Sequence, residues 1–184
     1  LEYRKIRKEE LNRQLIAGLD RSQEVTKCWR KIEGKWKIRD VAFTDQWSEE
    51  EYAYLILCLK KTLATNGVVF GAFEEKSLKG FASVEGTYIG TAKKYMDLSS
   101  LHVSQEMRGK GIGRVLFGLA CKWAAKQGGE SLYVSAHSAV ETQAFYKTMG
   151  CVEAEEYQRE HVEKEPYDCQ LEYRLCGKYL QNLE

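Results

Sequence analysis

The sequence predicts a mixed α/β domain: a mostly antiparallel β-sheet with helices on both faces and a central parallel β-α-β unit. Two observations carry this. Apolar residues recur at i, i+3, i+4, i+7, i+8, i+11 and i+12 through Ile112, Val115, Leu116, Leu119, Ala120, Trp123 and Ala124, one continuous face at helical period, between strand-like runs at 97–103 and 131–136. Earlier in the chain, runs at 68–73 and 78–85 alternate hydrophobic and small residues around a charged turn at 74–77. Strands, then β-α-β, then a closing hairpin make a sheet covered on both sides, its two central strands parallel and joined by a right-handed crossover.

In chain order, a short strand near 3–6 leads to a predicted helix over 9–20, with Leu11, Leu15, Ile16 and Leu19 on one face. Residues 28–40 read as a hairpin turning at Glu33-Gly34. It places Trp29, Lys31, Trp36 and Ile38 on one face and Arg30, Lys35, Lys37 and Arg39 on the other. Ser48 with Glu51 forms a capping box for a second helix, acidic in its first turn and ended by Asn66-Gly67. Tyr52, Leu55, Ile56, Leu59 and Leu63 form its inner face. After the long helix and the strand at 131–136 come a helix over 140–149 and strands near 152–157 and 169–175, flanking a charged loop at 158–165.

With 184 residues, 43% hydrophobic and 30% charged, the chain reads as a single globular domain over 1–184, with the hairpin at about 28–40 as an insertion. A formal net charge of +1 favours neither nucleic acid nor an anionic membrane, and no apolar run approaches the roughly 20 residues of a membrane span. Leu1-Glu2-Tyr3-Arg4-Lys5 shows no signal-peptide core. Six cysteines without a Cys-x-x-Cys pair, and three scattered histidines, give no zinc spacing. The expectation is no metal, with buried free thiols in a reducing cytoplasm. The oligomeric state, monomer or homodimer, is left open.

The stretch carrying chemistry is Arg108-Gly109-Lys110-Gly111-Ile112-Gly113, between a strand and the long helix. A helix N-terminus exposes unpartnered N–H groups and about half a positive charge. Glycines let a ligand reach those donors without a Cβ in the way, and Arg108 and Lys110 add cationic charge. The arrangement suits a phosphate or pyrophosphate. It is not a P-loop, because Arg114 follows Gly113 where that motif continues from Gly-Lys to Ser or Thr. It is not a dinucleotide fingerprint either, because Arg114 replaces the third glycine and the next strand closes on His137 with no acid.

Arg-x-x-Gly-x-Gly, after a strand ending in Leu-x-Val and before a helix, resembles motif A of the GNAT superfamily of acetyl-CoA-dependent N-acetyltransferases. Ala144-Phe145-Tyr146-Lys147-Thr148-Met149-Gly150-Cys151 resembles that family's Phe-Tyr-x-x-x-Gly-Phe helix end, at the family's spacing. The resemblance implies that the two central strands splay to form an acyl-CoA cleft and that acetyl passes from acetyl-CoA to a primary amine. The acceptor would be an amine-bearing small molecule or peptide.

It places the backbone of Leu101, His102 and Val103 along the pantetheine arm, with the Val103 amide as donor to the thioester carbonyl. It places the amides of Arg108, Gly109, Lys110, Gly111, Ile112 and Gly113 around the pyrophosphate. Tyr146 matches the family's proton donor to the leaving thiolate. Asp97, about eleven residues before motif A's first Arg, matches a common position for the base, and Glu85 is the alternative. Where the family often has Asn at the start of the last helix this chain has Ala139, flanked by Ser138, which stands in as the pantetheine contact. Trp29, Trp36 and Trp47 fall where family members contact the acceptor, and cation–π contact with an amine would suit them. Two rival readings are a non-catalytic acyl-CoA sensor, which needs neither Tyr146 nor a base, and a nucleotide- or nucleic-acid-binding module. The balanced charge and the missing third glycine disfavour the latter.

Overall fold

The computed structural model describes residues 1–175, and Cys176 lies outside the described residues. Among these, seven strands form one sheet in the order β1-β4-β5-β6-β7-β9-β8. They are β1 (Glu2–Lys5), β4 (Val68–Glu74), β5 (Ser77–Ile89), β6 (Tyr95–Val103), β7 (Ser131–Ala136), β8 (Val152–Glu153) and β9 (Cys169–Arg174). Every pairing is antiparallel except that of β6 with β7. The mixed, mostly antiparallel sheet with a central parallel pair is therefore present. The remaining strands, β2 (Gln23–Ile32) and β3 (Lys35–Asp45), form a separate two-stranded sheet.

Helix α1 (Glu49–Ala64) covers one face of the sheet. Its Leu55, Ile56 and Leu59 pack with Val69, Phe73, Leu78 and Phe81. The Ser48 hydroxyl accepts from the Glu51 amide and the Glu51 carboxylate accepts from the Ser48 amide, a capping box that contributes about 1 kcal/mol. Helix α2 (Ile112–Lys126) covers the other face, packed against Val84, Met96, Leu98 and Val134, with α3 (Val140–Met149) beside it. Because α3 and Tyr173 close over its flank, α2 buries Phe117 and Cys121 as well, while Val115, expected on the inner face, is 40% exposed.

Three expectations need correction. Residues 9–20 are not an α-helix: a 3-10 turn at Lys8–Glu10 is followed by a run of turns through Gly18. Ala17 and Leu19 donate to carbonyls three residues back, and the Asn12 side chain accepts from the Leu15 amide, so local polar bonds replace the i−4 ladder. Leu11, Ile16 and Leu19 are still buried, since a compact turn can point the same side chains inward. The strand expected over 152–157 is confined to Val152–Glu153, and the charged loop holds a helical turn, α4 (Arg159–Lys164). The hairpin is longer than 28–40, spanning β2 and β3 through Asp45, and turns as expected at Glu33 and Gly34, both at positive φ.

Candidate active site

The parallel pairing stops early. Tyr95 faces Ser131, Met96 faces Leu132 and Asp97 faces Tyr133, after which β6 has no partner on that side and β7 pairs only with β9. The strands part there, and a cleft of about 920 Å³ opens between them, lined by β6 from Leu98 to Val103, by Ser135 and Ala136 at the end of β7 and His137 just after it, by the glycine turn and by α3. An unpaired strand edge offers backbone donors and acceptors to an extended ligand, as in strand addition.

At one end lies the glycine turn. Gly109 and Gly111 have φ of +74° and +82°, a region that disfavours residues with a Cβ, and nothing stands within 4 Å of where a Cβ would be. Gly111 caps α2, whose first amides lack intrahelical partners. A Cβ on Gly113 would come within 3.1 Å of the Phe145 ring, so this glycine seats α2 against α3. Of the six turn residues, five line the cleft, while Lys110 lies back with its ammonium 3.3 Å from the Met107 sulfur. The Arg108 guanidinium donates to the carbonyls of Val103 and Arg21, tying the turn to the strand end, while Arg114 adds an exposed charge on the wall.

Tyr146 is buried on α3 and lines the cleft, its ring against Phe117 and Phe145. Among the described residues nothing accepts a hydrogen bond from its hydroxyl, and burial, reinforced by Cys151 and Asp168, pushes its ionisation upward. A phenol in that state holds its proton until a stronger base arrives.

The expected carboxylates lie behind the wall. Asp97 is buried, one carboxylate oxygen 2.8 Å from His161 Nε2 and the other without a hydrogen-bond partner. His161 is shifted upward chiefly by that bond, and its ring stacks on Tyr133. Glu85 accepts from the hydroxyls of Thr62 and Ser99 at 2.7 Å each, so it meets the cleft through Ser99, which lines it.

The tryptophans separate. Trp36 donates to Glu153 and sits beside Lys31, and neither Trp29 nor Trp36 lines the cleft. Trp47 is half-buried under the wall, its ring 4.7 Å from that of His102 and 4.5 Å from the Arg21 guanidinium, both wall residues. Ser138 is buried, its hydroxyl taking a 2.6 Å hydrogen bond from Arg30 and its carbonyl accepting from the Trp29 amide. It therefore anchors the hairpin beside the cleft.

Several wall groups carried no sequence signal. Arg21 and Asp45 form an ion pair at 2.5 Å, and Glu24 is exposed at the same rim. His137 Nδ1 accepts from the Ala139 amide, and its ring meets Phe43 at 5.8 Å. Ser135 donates to Asp168, whose carboxyl is pushed up to about 6, chiefly by burial. Among the described residues no group of three or more His, Cys, Asp or Glu side chains is placed to hold a metal ion.

A sequence model described as the acetyltransferase (GNAT) family matches residues 32–151. Nourseothricin acetyltransferase superimposes with a TM-score of 0.69 at 18% identity, over 95% of this chain and 98% of its own. A candidate streptothricin acetyltransferase of Bacillus anthracis str. Ames, solved with acetyl coenzyme A, gives a TM-score of 0.64 at 15% identity, covering 93% and 95% of the two chains. The PaiA N-acetyltransferase of Thermoplasma acidophilum, solved with coenzyme A, gives 0.55 at 20% identity, covering 94% and 98%. No curated protein matches the chain in sequence.

Proposed function

The chain belongs to the acetyltransferase (GNAT) family, and on that footing we propose that it transfers an acetyl group from acetyl-CoA to a primary amine with both substrates bound together. The parting of β6 and β7 beside the glycine turn, with Tyr146 on the wall between them, carries this reading.

The amides of residues 108–113 hold the pyrophosphate, in the open space that Gly109 and Gly111 leave. The edge of Leu101, His102 and Val103 holds the pantetheine arm as an added strand, and a backbone amide there, Val103's first among them, steadies the charge that develops on the thioester oxygen. Tyr146 gives its proton to the departing sulfur. Its burial and idle hydroxyl suit this role, since a thiolate is the first strong acceptor it would meet.

A primary amine is protonated near neutral pH and must lose that proton before it attacks. Asp97 and Glu85 are the groups proposed from sequence, and both stand behind the wall, Asp97 bonded to His161 and Glu85 reaching the cleft through Ser99. Glu24 is exposed at the rim, on the open end of the hairpin, where its charge favours a cationic acceptor, while Asp45 beside it is held by Arg21. The names of the two first-mentioned structural relatives make a streptothricin-type polyamine the first acceptor to try. Among the described residues no helix is long and apolar enough to cross a membrane, and five free cysteines suit a reducing compartment.

Thiol release from acetyl-CoA by the purified protein, screened against streptothricin, polyamines, aminoglycosides and peptide amines, tests the reading. Amine-dependent release with an acetylated product seen by mass spectrometry is expected. Tight CoA binding without release for any amine would instead favour an acyl-CoA sensor.

A further inference from the structure

Whatever takes the proton from the incoming amine must stand on the cleft wall or be joined to it by hydrogen bonds. Two imidazoles stand there, and neither offers a basic nitrogen. Burial, with help from Arg21, holds His102 at about 3, so it is neutral and a poor base. His137 spends its Nδ1 lone pair on the Ala139 amide, which leaves the proton on Nε2.

Two of the wall's serines, one from each parted strand, donate to a carboxylate behind them. On β6, Ser99 donates to Glu85 Oε1, but that oxygen already takes the Thr62 hydroxyl, and Ser99 also exchanges a hydrogen bond with Ser83. On β7, Ser135 donates to Asp168 Oδ2 at 3.1 Å and accepts from Gln170 Nε2 at 3.0 Å, leaving one lone pair open toward the cleft. Asp168 is half-buried and keeps a route to solvent.

We infer that Ser135 and Asp168 form the proton relay for the acceptor amine: the ammonium hydrogen-bonds to Ser135 Oγ, Ser135 passes its own proton to the Asp168 carboxylate, and the ammonium proton replaces it. The inference rests on the acetyl-transfer reading. The nitrogen gives up one proton before it attacks and a second after its bond to the acetyl carbon forms, as the carbon–sulfur bond breaks. One leaves through Asp168 to solvent, and the other replaces the proton that Tyr146 hands to sulfur. Asp168 is tuned for this work. Burial lifts its carboxyl to about 6, close to the operating pH, with Glu165 pushing the same way and the Ser135 hydrogen bond and His161 opposing. The other titratable groups facing it are Tyr146 from α3 and Cys169 from β9.

The test compares the wild type with Ser135→Ala, Asp168→Asn and Asp168→Glu. Rates are measured from pH 5 to 9 with acetyl-CoA and the best amine of the panel, and the Asp168 carboxyl-carbon resonance is followed by NMR. Wild-type rates should fall below about pH 6, and the resonance should titrate at the same midpoint. Asp168→Asn should lose about 10²-fold or more at pH 7, and the deficit should shrink toward pH 9 as free amine accumulates. Its break near pH 6 should give way to a rate that climbs across the whole range with the amine's own ionisation, and Asp168→Glu should restore part of the rate. Ser135→Ala should also be slow and should raise the Asp168 midpoint, because it removes the bond that lowers it.

Asp168→Asn within threefold of wild type, or with the same acid limb, would overturn the relay alone. Should that variant fail to fold, a Ser135→Ala enzyme with a wild-type profile would overturn it instead. Absence of thiol release from the wild type with every amine would bring down the transfer reading and the relay together.

Discussion

Asp97 and Tyr133 are the last facing residues of the parallel pair, and past them β6 and β7 have no partners in common. The site is built outward from that point. Asp97 turns to His161 below it, while Leu98 and its successors line the opening above.

At Gly111 the backbone is left-handed and the surrounding space is empty. Asparagine tolerates that conformation better than other residues with a Cβ, so Gly111→Asn should fold while its side chain takes the place of a phosphate. CoA affinity measured by calorimetry should fall at least about tenfold, or about 1.4 kcal/mol. Unchanged affinity in a folded variant would remove the pyrophosphate from this turn.

Tyr146→Phe keeps the ring packed against Phe117 and Phe145 and deletes only the hydroxyl. As a general acid, that group is expected to contribute about 10² to 10⁴ in kcat, with little change in CoA affinity. If chemistry limits the rate and kcat falls by less than about threefold, the ring is there for packing.

Trp47 reaches the cleft through its neighbours, with Arg21 over its ring and His102 meeting it edge-to-face. Trp47→Ala should release Arg21 from its place at the rim and raise the acceptor KM several-fold, leaving CoA affinity nearly unchanged. Its packing against Tyr52 also ties it to the core, so thermal unfolding should be followed in parallel. Equal loss in both substrates would assign it to the core alone.

Asp168 also predicts a pH dependence of stability. Its folded value, about 6, lies above the usual aspartate value, so the fold favours the protonated form. That favourable contribution is complete below about pH 4 and is lost as pH rises through 6. Asp168→Asn should therefore match the wild type near pH 4 and exceed it at pH 7 by on the order of 1–3 kcal/mol in urea unfolding. A wild type that is more stable at pH 7 would mean that the carboxylate earns its place structurally.

Much of the frame is legible in the sequence because periodicity and local chemistry agree there. The bounds of α3, the Ser48 capping box, the Glu33-Gly34 turn and the glycine turn all follow from residues near one another in the chain. The stretch at 9–20 misleads because its leucines and isoleucine keep helical spacing while Asn12 and Gly18 favour turns, and spacing alone cannot decide between them. Relations made by distant segments are the ones that stay hidden. Ser135 and Asp168 are 33 residues apart, and His161 meets Asp97 across 64. Nothing in the stretch between the charged loop and β9 marks Asp168, following so many acids, as the one turned inward. Trp29 and Trp36 are hard to place for another reason, since an aromatic residue on a hairpin reads the same whether it faces a cleft or, as Trp36 does, the neighbouring Glu153.

The β2–β3 hairpin shares no ladder with the main sheet. An isolated bridge between Cys28 and Ala139, the Trp29–Ser138 backbone bond and the Arg30–Ser138 contact attach it to the loop just before α3. Its open end supplies Gln23, Glu24 and Asp45 to the rim. A unit attached in this way behaves as a cassette. Changes to its length or rim residues would leave the ladder of the parted strands untouched, so the mouth of the cleft can be reshaped by remodelling one arm of an otherwise fixed frame.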